Sequence, residues 1–207
     1  MLVSRETPPS PEAAGVFGSR LSDMQRFADV LAGDGVDRGL IGPREVPRLW
    51  DRHLVNCGVV AERLPQGCTA ADVGTGAGLP GLVWAIMRPD VRMTLIEPLL
   101  RRTTFLDEVV TELGLQNVEV VRARAEEVTA SYDVVTARAV AALEKLAKWC
   151  MPLVAPGGVL LALKGRTAQE ELVDARRTIG RLGGGDTVIR TYGAVEVPTT
   201  VVEVSKR

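Results

Sequence analysis

The sequence predicts an α/β protein whose mostly parallel, seven-stranded sheet ends in an antiparallel hairpin and is preceded by a helical extension. Three observations carry this expectation. From Cys68 onward, short runs rich in β-branched residues alternate with helix-length amphipathic segments, the pattern of a parallel sheet with helices on both faces. Ala71-Asp72-Val73-Gly74-Thr75-Gly76-Ala77-Gly78-Leu79-Pro80-Gly81 packs four glycines between a strand-like and a helix-like run. The last two strand-like runs follow one another with no helix between them, so they pair antiparallel.

In chain order, Met1 to about residue 10 is polar and proline-rich and reads as a mobile tail. Residues 11–65 read as a helical extension. Val16, Phe17, Leu21, Met24, Phe27, Ala28 and Leu31 recur at spacings of three and four, which predicts an amphipathic helix to Leu31, broken by Gly33-Asp34-Gly35. A second helical piece starts between Pro43 and Pro47 and carries Leu49, Trp50, Leu54 and Val55; a third, Val59 to Leu64, stops at Pro65. Residues 66–207 form the α/β domain. Its strands are predicted at Ala70–Val73, Met93–Glu97, Val118–Arg122, Asp133–Ala137, Val159–Lys164, Thr187–Tyr192 and Thr200–Val204. The intervening helices are predicted at Leu79–Met87, Leu99–Leu113, Val140–Met151 and Thr167–Leu182.

Composition narrows the function classes. The 207 residues suffice for one α/β domain with a modest extension, and 46% hydrophobic with 25% charged residues is ordinary for a globular protein. Apolar runs are too short to span a bilayer and the N-terminus lacks a signal-peptide core, so the expected compartment is the cytoplasm, without membrane association. Three dispersed cysteines and the single His53 argue against a disulfide framework and against a metal site. A net charge of −1 means that any nucleic-acid footprint is local. No apolar stripe calls for an obligate dimer, and a monomer is expected.

The glycine turn fits two fingerprints. Gly76-x-Gly78-x-x-Gly81 is the dinucleotide pattern, and Asp72-x-Gly74-x-Gly76-x-Gly78 is an acid followed by alternating glycines. Charge separates them. A nicotinamide cofactor brings a pyrophosphate, which a neighbouring carboxylate repels. S-adenosylmethionine has no phosphate and carries a sulfonium and an ammonium, so Asp72 suits it. Pro80 fits the first helical turn, where its missing N–H is harmless. Glu97, about twenty residues on, can accept ribose hydroxyls in either class, or act as a helix N-terminal acid. Ala125-Glu126, after the third strand, stands where an adenine edge is read, or is a solvated turn. A parallel sheet closed by an antiparallel hairpin is the class I S-adenosylmethionine-dependent methyltransferase (Rossmann-like) arrangement.

These residues also carry a family resemblance. Asp72 to Gly81, Leu95-Ile96-Glu97-Pro98 with Arg101-Arg102-x-x-Phe105-Leu106, Arg124-Ala125-Glu126-Glu127, Thr136-Ala137-Arg138-Ala139, Leu163-Lys164-Gly165 and Leu49-Trp50-Asp51-Arg52-His53-Leu54 resemble the small-subunit ribosomal RNA methyltransferase G family, also called the glucose-inhibited division protein B family. The match runs from about Phe17 to the end. The resemblance implies methyl transfer from S-adenosylmethionine to N7 of guanine 527 in 16S ribosomal RNA, with the small ribosomal subunit as partner. It implies cofactor positions at Gly74, Leu79, Ala125, Glu126 and Arg138.

Guanine N7 has an in-plane lone pair and no proton, so methylation there needs orientation and no general base. Candidate substrate-positioning residues are Arg138, Lys164, Arg52 and His53. Arg138 can hold the cofactor, bond guanine O6 or contact a phosphate, with a structural ion pair as the alternative. Lys164 binds phosphate or base, or snorkels from the strand end. Arg48 and Arg52, four apart, form a small basic patch or a salt-bridged helix face; His53 is a contact or a packed residue. Arg101 and Arg102 support RNA binding or pair with Glu97 and Asp107. The competing functions are an NAD(P)-dependent oxidoreductase and a non-catalytic RNA-binding module on the same fold.

Overall fold

A computed structural model describes residues 2–138, 141–193 and 198–207. Met1, the predicted helix start at Val140 and Ala139 of the quoted motif lie outside these residues. All seven predicted strands are present: β1 (Thr69–Val73), β2 (Arg92–Ile96), β3 (Val118–Val121), β4 (Tyr132–Arg138), β5 (Val154–Lys164), β6 (Gly184–Tyr192) and β7 (Thr199–Lys206). They form one sheet in the order β3-β2-β1-β4-β5-β7-β6. The first five are parallel; β7 runs antiparallel between β5 and β6. The strand order reverses between β1 and β4, and ligands of open α/β sheets bind in the crevice at such a switch point, beyond the strands' carboxyl ends.

Strand periodicity divides the core in two. On β1 and β2, Ala70, Met93 and Leu95 pack on one face, while Ala71, Val73 and Ile96 pack on the other. The first face receives α4 (Gly81–Met87), α5 (Leu100–Leu113) and the N-terminal extension. The second receives α6 (Leu143–Cys150) and α7 (Ala168–Arg181).

The extension departs from the single helix expected up to Leu31. It comprises α1 (Ala13–Phe17), a 3₁₀ turn at Gly18–Arg20 and α2 (Leu21–Val30), then π-helical turns at Leu31–Gly35 and Leu49–Val55 around a 3₁₀ turn at Pro43–Arg48. It closes with α3 (Asn56–Gly58) and a 3₁₀ turn at Ala61–Arg63. Gly33-Asp34-Gly35 does not break the helix. A Cβ on Gly33 would stand 2.0 Å from the Val3 carbonyl oxygen, so this glycine admits a crossing chain.

That crossing chain is the segment expected to be a mobile tail. It is docked instead: Asp34 N–H donates to the Val3 carbonyl, Arg5 N–H to the Asp29 carbonyl, and the Gln25 amide and Trp50 indole both donate to the Thr7 carbonyl. Its sequence is polar enough for a tail, but backbone partners across a glycine hold it. The extension is in turn fastened to the α/β domain by Trp84 Nε1 donating to the Cys57 carbonyl and by an Arg63–Glu203 ion pair.

Candidate active site

Asp72, next to last in β1, organises the glycine turn. It is fully buried. Its Oδ2 accepts from the Thr75 hydroxyl at 2.6 Å and from Gly81 N–H at 2.8 Å, so it both closes the turn and caps α4. Its Oδ1 has no hydrogen-bond partner among the described residues. Burial pushes the carboxyl up to about 6, against the opposing pull of Thr75, Gly81 and Arg138. Two glycines are demanded by this packing. A Cβ on Gly78 (φ 91°) would meet Leu82 Cδ1 at 2.3 Å, and one on Gly81 would meet Leu95 Cδ2 at 2.4 Å. The helix starts at Gly81 and not at Leu79, with Pro80 just before it on a cis peptide.

This geometry separates the two fingerprints. Gly81 N–H, at the start of α4, already binds a buried carboxylate. A pyrophosphate brought to that helix end would meet negative charge where the dinucleotide arrangement offers free amides. A cationic ligand is favoured there.

Two cavities open at the carboxyl ends of the parallel strands, one at β1 and β2 and the other at β4 and β5. The first, about 370 Å³, is lined by Gly74, Glu97, Ala125 and Glu126, together with Pro98, Leu99, Arg124 and Trp149 among others. Four of the predicted cofactor residues therefore come together. Glu97 follows β2 and is nearly inaccessible; it accepts from Gly76 N–H, Leu99 N–H and Arg102 Nη1, each at 3.2 Å. Arg102 thus pairs with Glu97, one of the partners proposed for it. Ala125 and Glu126 lie on a 3₁₀ turn after β3, where the Glu127 carboxylate accepts from Arg124 N–H at 2.8 Å. Trp149 was not anticipated. It sits on α6 beside Leu146 and Cys150, whose buried face marks its edge as the sheet-facing side.

Asp72, Gly76, Gly78 and Leu79, also expected at the cofactor, do not line this cavity. Asp72 is beneath the turn and Leu79 packs in the core. Arg138 is not in it either, because β4 delivers its side chain to the other side of the switch point.

There the second cavity, about 800 Å³, is bounded by Arg52, His53, Asn56, Arg138, Lys164 and Glu171, with Glu45 and Arg166. The candidate substrate-positioning residues Arg52, His53, Arg138 and Lys164 border one space although they come from three parts of the chain. Their pairings differ. Lys164 Nζ is nearly buried and binds Glu171 Oε2 at 2.7 Å and the Ala141 carbonyl at 2.6 Å, so it is a paired cation, neither snorkelling to solvent nor free for a phosphate or base. Arg52 is exposed and 3.6 Å from Glu45. Arg138 Nη2 lies 2.9 Å from His53 Nδ1, and His53 Nε2 lies 2.9 Å from Glu45 Oε2. Arg48 and Arg52 are not on one α-helical face, since the 3₁₀ turn gives way to a π-helical turn between them.

Comparisons with known proteins give the family and the fold. The family model described as rRNA small subunit methyltransferase G matches residues 20–196. The ribosomal RNA small subunit methyltransferase G of Salinispora tropica is 54% identical over 217 residues, covering 99% of this chain and 90% of that protein. The protein of the same name from Streptomyces coelicolor is 55% identical over 210 residues, covering 99% and 88%. Among solved structures, precorrin-6y C5,15-methyltransferase from Geobacter metallireducens superposes with a TM-score of 0.55 at 15% identity, covering 82% of this chain and 91% of that one. TYW2 of M. jannaschii, solved in complex with AdoMet, gives 0.58 at 18% identity, covering 76% and 77%. At such identities the likeness to solved structures is one of fold, that of class I methyltransferases.

Proposed function

The chain belongs to the rRNA small subunit methyltransferase G family, and from that premise we propose that it uses S-adenosylmethionine to methylate N7 of guanine 527 in 16S rRNA within the small ribosomal subunit. The observation that carries the reading is the pairing of a family match over most of the chain with a cleft at the switch point that suits this cofactor. The unpartnered, buried Asp72 Oδ1 is a ready counter-charge for a cation and has no place beside a pyrophosphate. When bound, the cofactor supplies an electrophilic methyl group on its sulfonium.

In this reading the chain's residues orient. Glu97, held by Gly76 N–H, Leu99 N–H and Arg102, accepts the ribose hydroxyls. The Ala125-Glu126 turn borders the adenine, and Gly74 lets the ligand approach bare backbone. Gly76, Gly78 and Leu79 act through the shape of the turn, and Asp72 through its field. Arg138 faces the larger cavity, whose volume of about 800 Å³ accommodates an extruded nucleotide, with Arg52 and Arg166 at its border. Guanine N7 presents a lone pair to the methyl group, so no residue is required as a base. The chain acts as a monomer in the cytoplasm, where its substrate is made. Exposed large apolar side chains, Val3, Leu99, Leu100, Val173 and Val188, belong to four separate parts of the chain, which supports the monomer.

Two measurements test this. Incubating the protein with labelled S-adenosylmethionine and unmethylated small subunits, then mapping the label, should give 7-methylguanine at that position; label on another base or atom refutes the substrate. Calorimetry should show binding of S-adenosylhomocysteine and not of NAD. The reverse would refute the cofactor.

A further inference from the structure

Glu45, His53 and Arg138 come from the 3₁₀ turn at 43–48, the following π-helical turn and the end of β4, and they form one hydrogen-bonded row along the wall of the larger cavity. A guanidinium only donates, so the 2.9 Å contact with Arg138 Nη2 requires His53 Nδ1 to accept. The ring's proton is then on Nε2, where it is donated to Glu45 Oε2 at 2.9 Å. The row therefore fixes the tautomer, and it exists only while the imidazole is neutral.

Arg52, Lys164 and Arg102, which border the two cavities, are paired with the carboxylates of Glu45, Glu171 and Glu97. Arg138 is held by a neutral nitrogen, so its orientation is fixed by a contact that carries no counter-charge, and the buried Asp72 carboxylate acts on it only through space. Such a guanidinium is preorganised for phosphate or for a guanine O6.

We propose that His53 is a positioning residue: tethered by Glu45 as the Nε2–H tautomer, it holds the Arg138 guanidinium towards the RNA, and its protonation releases that hold. The proposal rests on the rRNA methyltransferase reading. A protonated His53 would turn an N–H towards Arg138, setting donor against donor and cation against cation. The groups facing the ring are Glu45 from the 3₁₀ turn, Arg52 from its own turn and Arg138 from β4, with the Lys164–Glu171 pair across the cavity. Burial and Arg138 hold the imidazole below its ordinary range, against the pull of Glu45, so the neutral form prevails at physiological pH.

The test is a pH series, from 5 to 8.5, of methyl transfer to unmethylated small subunits at saturating S-adenosylmethionine, so that titration of Asp72 in the free protein does not set the profile, by wild type, His53→Ala, His53→Asn and Glu45→Gln. S-adenosylhomocysteine binding is measured alongside. The wild type should lose kcat/KM on the acid side of the ordinary imidazole range, the slope approaching tenfold per unit at the acid end. His53→Ala should raise KM for the subunit at least about tenfold at pH 8, with homologue affinity kept. The Asn amide oxygen stands where Nδ1 does, so His53→Asn should recover most of that loss and lack the acid limb. Glu45→Gln removes the charge that favours the imidazolium and should move the limb to lower pH. An acid limb of wild-type position in both His53→Asn and Glu45→Gln overturns the proposal, as does an unchanged KM in His53→Ala. If His53→Asn does not fold, the Glu45→Gln shift decides alone. A wild type that binds the homologue and yet methylates no subunit at any pH would refute the substrate reading instead.

Discussion

Replacing Asp72 by Asn should make the protein more stable at neutral pH and a poorer binder of S-adenosylmethionine. The carboxyl is fully buried and burial pushes it up to about 6, from an ordinary value of 3.8. Between these two values the folded state binds more protons than the unfolded state at this site. Its contribution to stability therefore falls as pH rises from about 4 to 6, and the full penalty is present above 6. Two units at about 1.4 kcal/mol each make that penalty on the order of 3 kcal/mol. Asn is nearly isosteric and can keep the bonds from Thr75 and Gly81 through its carbonyl oxygen. Its amide would occupy the position of the unpartnered Oδ1, and the unsatisfied donor offsets part of the gain. We expect a net stabilisation of about 1–2 kcal/mol at pH 7.5 that shrinks to zero or reverses by pH 4.5. Urea denaturation of both proteins at the two pH values measures it. A difference that does not change with pH, or one that grows as pH falls, would refute the reasoning. Calorimetry on the same samples should show affinity for S-adenosylmethionine reduced about tenfold or more, as expected when a cationic ligand loses a buried counter-charge of at least about 1.4 kcal/mol; undiminished affinity would sink the charge argument.

Other changes probe other parts of the fold. Gly81→Ala brings a Cβ to 2.4 Å from Leu95 Cδ2 and should lower stability by about 1–3 kcal/mol; an unaltered Tm would contradict the packing. Glu171→Gln leaves the Lys164 ammonium buried without its counter-ion and should destabilise by about 3 kcal/mol, the low end for a buried pair because Glu171 is 22% exposed. The double change Lys164→Met with Glu171→Leu should recover most of that in the same denaturation assay. Trp50 and Trp84 are buried with their indole N–H groups bonded to Thr7 and Cys57, whereas Trp149 borders the smaller cavity. S-adenosylhomocysteine should therefore change the fluorescence of Trp149, and a full response surviving in Trp149→Phe would argue against adenosine in that cleft. Gly33→Ala should free residues 2–7 to limited proteolysis while methyl transfer persists; a protected segment would show that the crossing is not what holds it.

Much of the architecture was legible because its signals are local. Short apolar runs alternating with helix-length segments marked the strands, and the glycines and Pro65 punctuated the elements. The strand ends moved by a few residues only, except that β5 begins at Val154 and not Val159, running through Pro156-Gly157-Gly158. The extension was less legible. Gly18 interrupts the first helix, and Gly33 and Gly35 do not interrupt the second, because tertiary contacts outweigh helix propensity. The reach of Lys164 also lay beyond the sequence. A strand-end lysine can bind phosphate or base or snorkel, and the fold decides by setting Glu171 of α7 beside it.

By itself the sequence determined the α/β class, the hairpin that closes the sheet, the turn between β1 and α4, and the acids and glycines that bear on a nucleoside cofactor. Those follow from periodicity and from backbone conformations that few residues adopt, both written within short stretches of chain. Only the tertiary structure decided what each polar group faces. It set Asp72 beneath the turn with one oxygen unpartnered, gathered Gly74, Glu97 and Ala125 around one cleft, and carried Arg138 across the switch point to His53, 85 positions away in sequence. Hydrogen bonding and charge compensation depend on distances of a few ångströms between elements, and sequence spacing does not encode those distances until the sheet order brings the elements together.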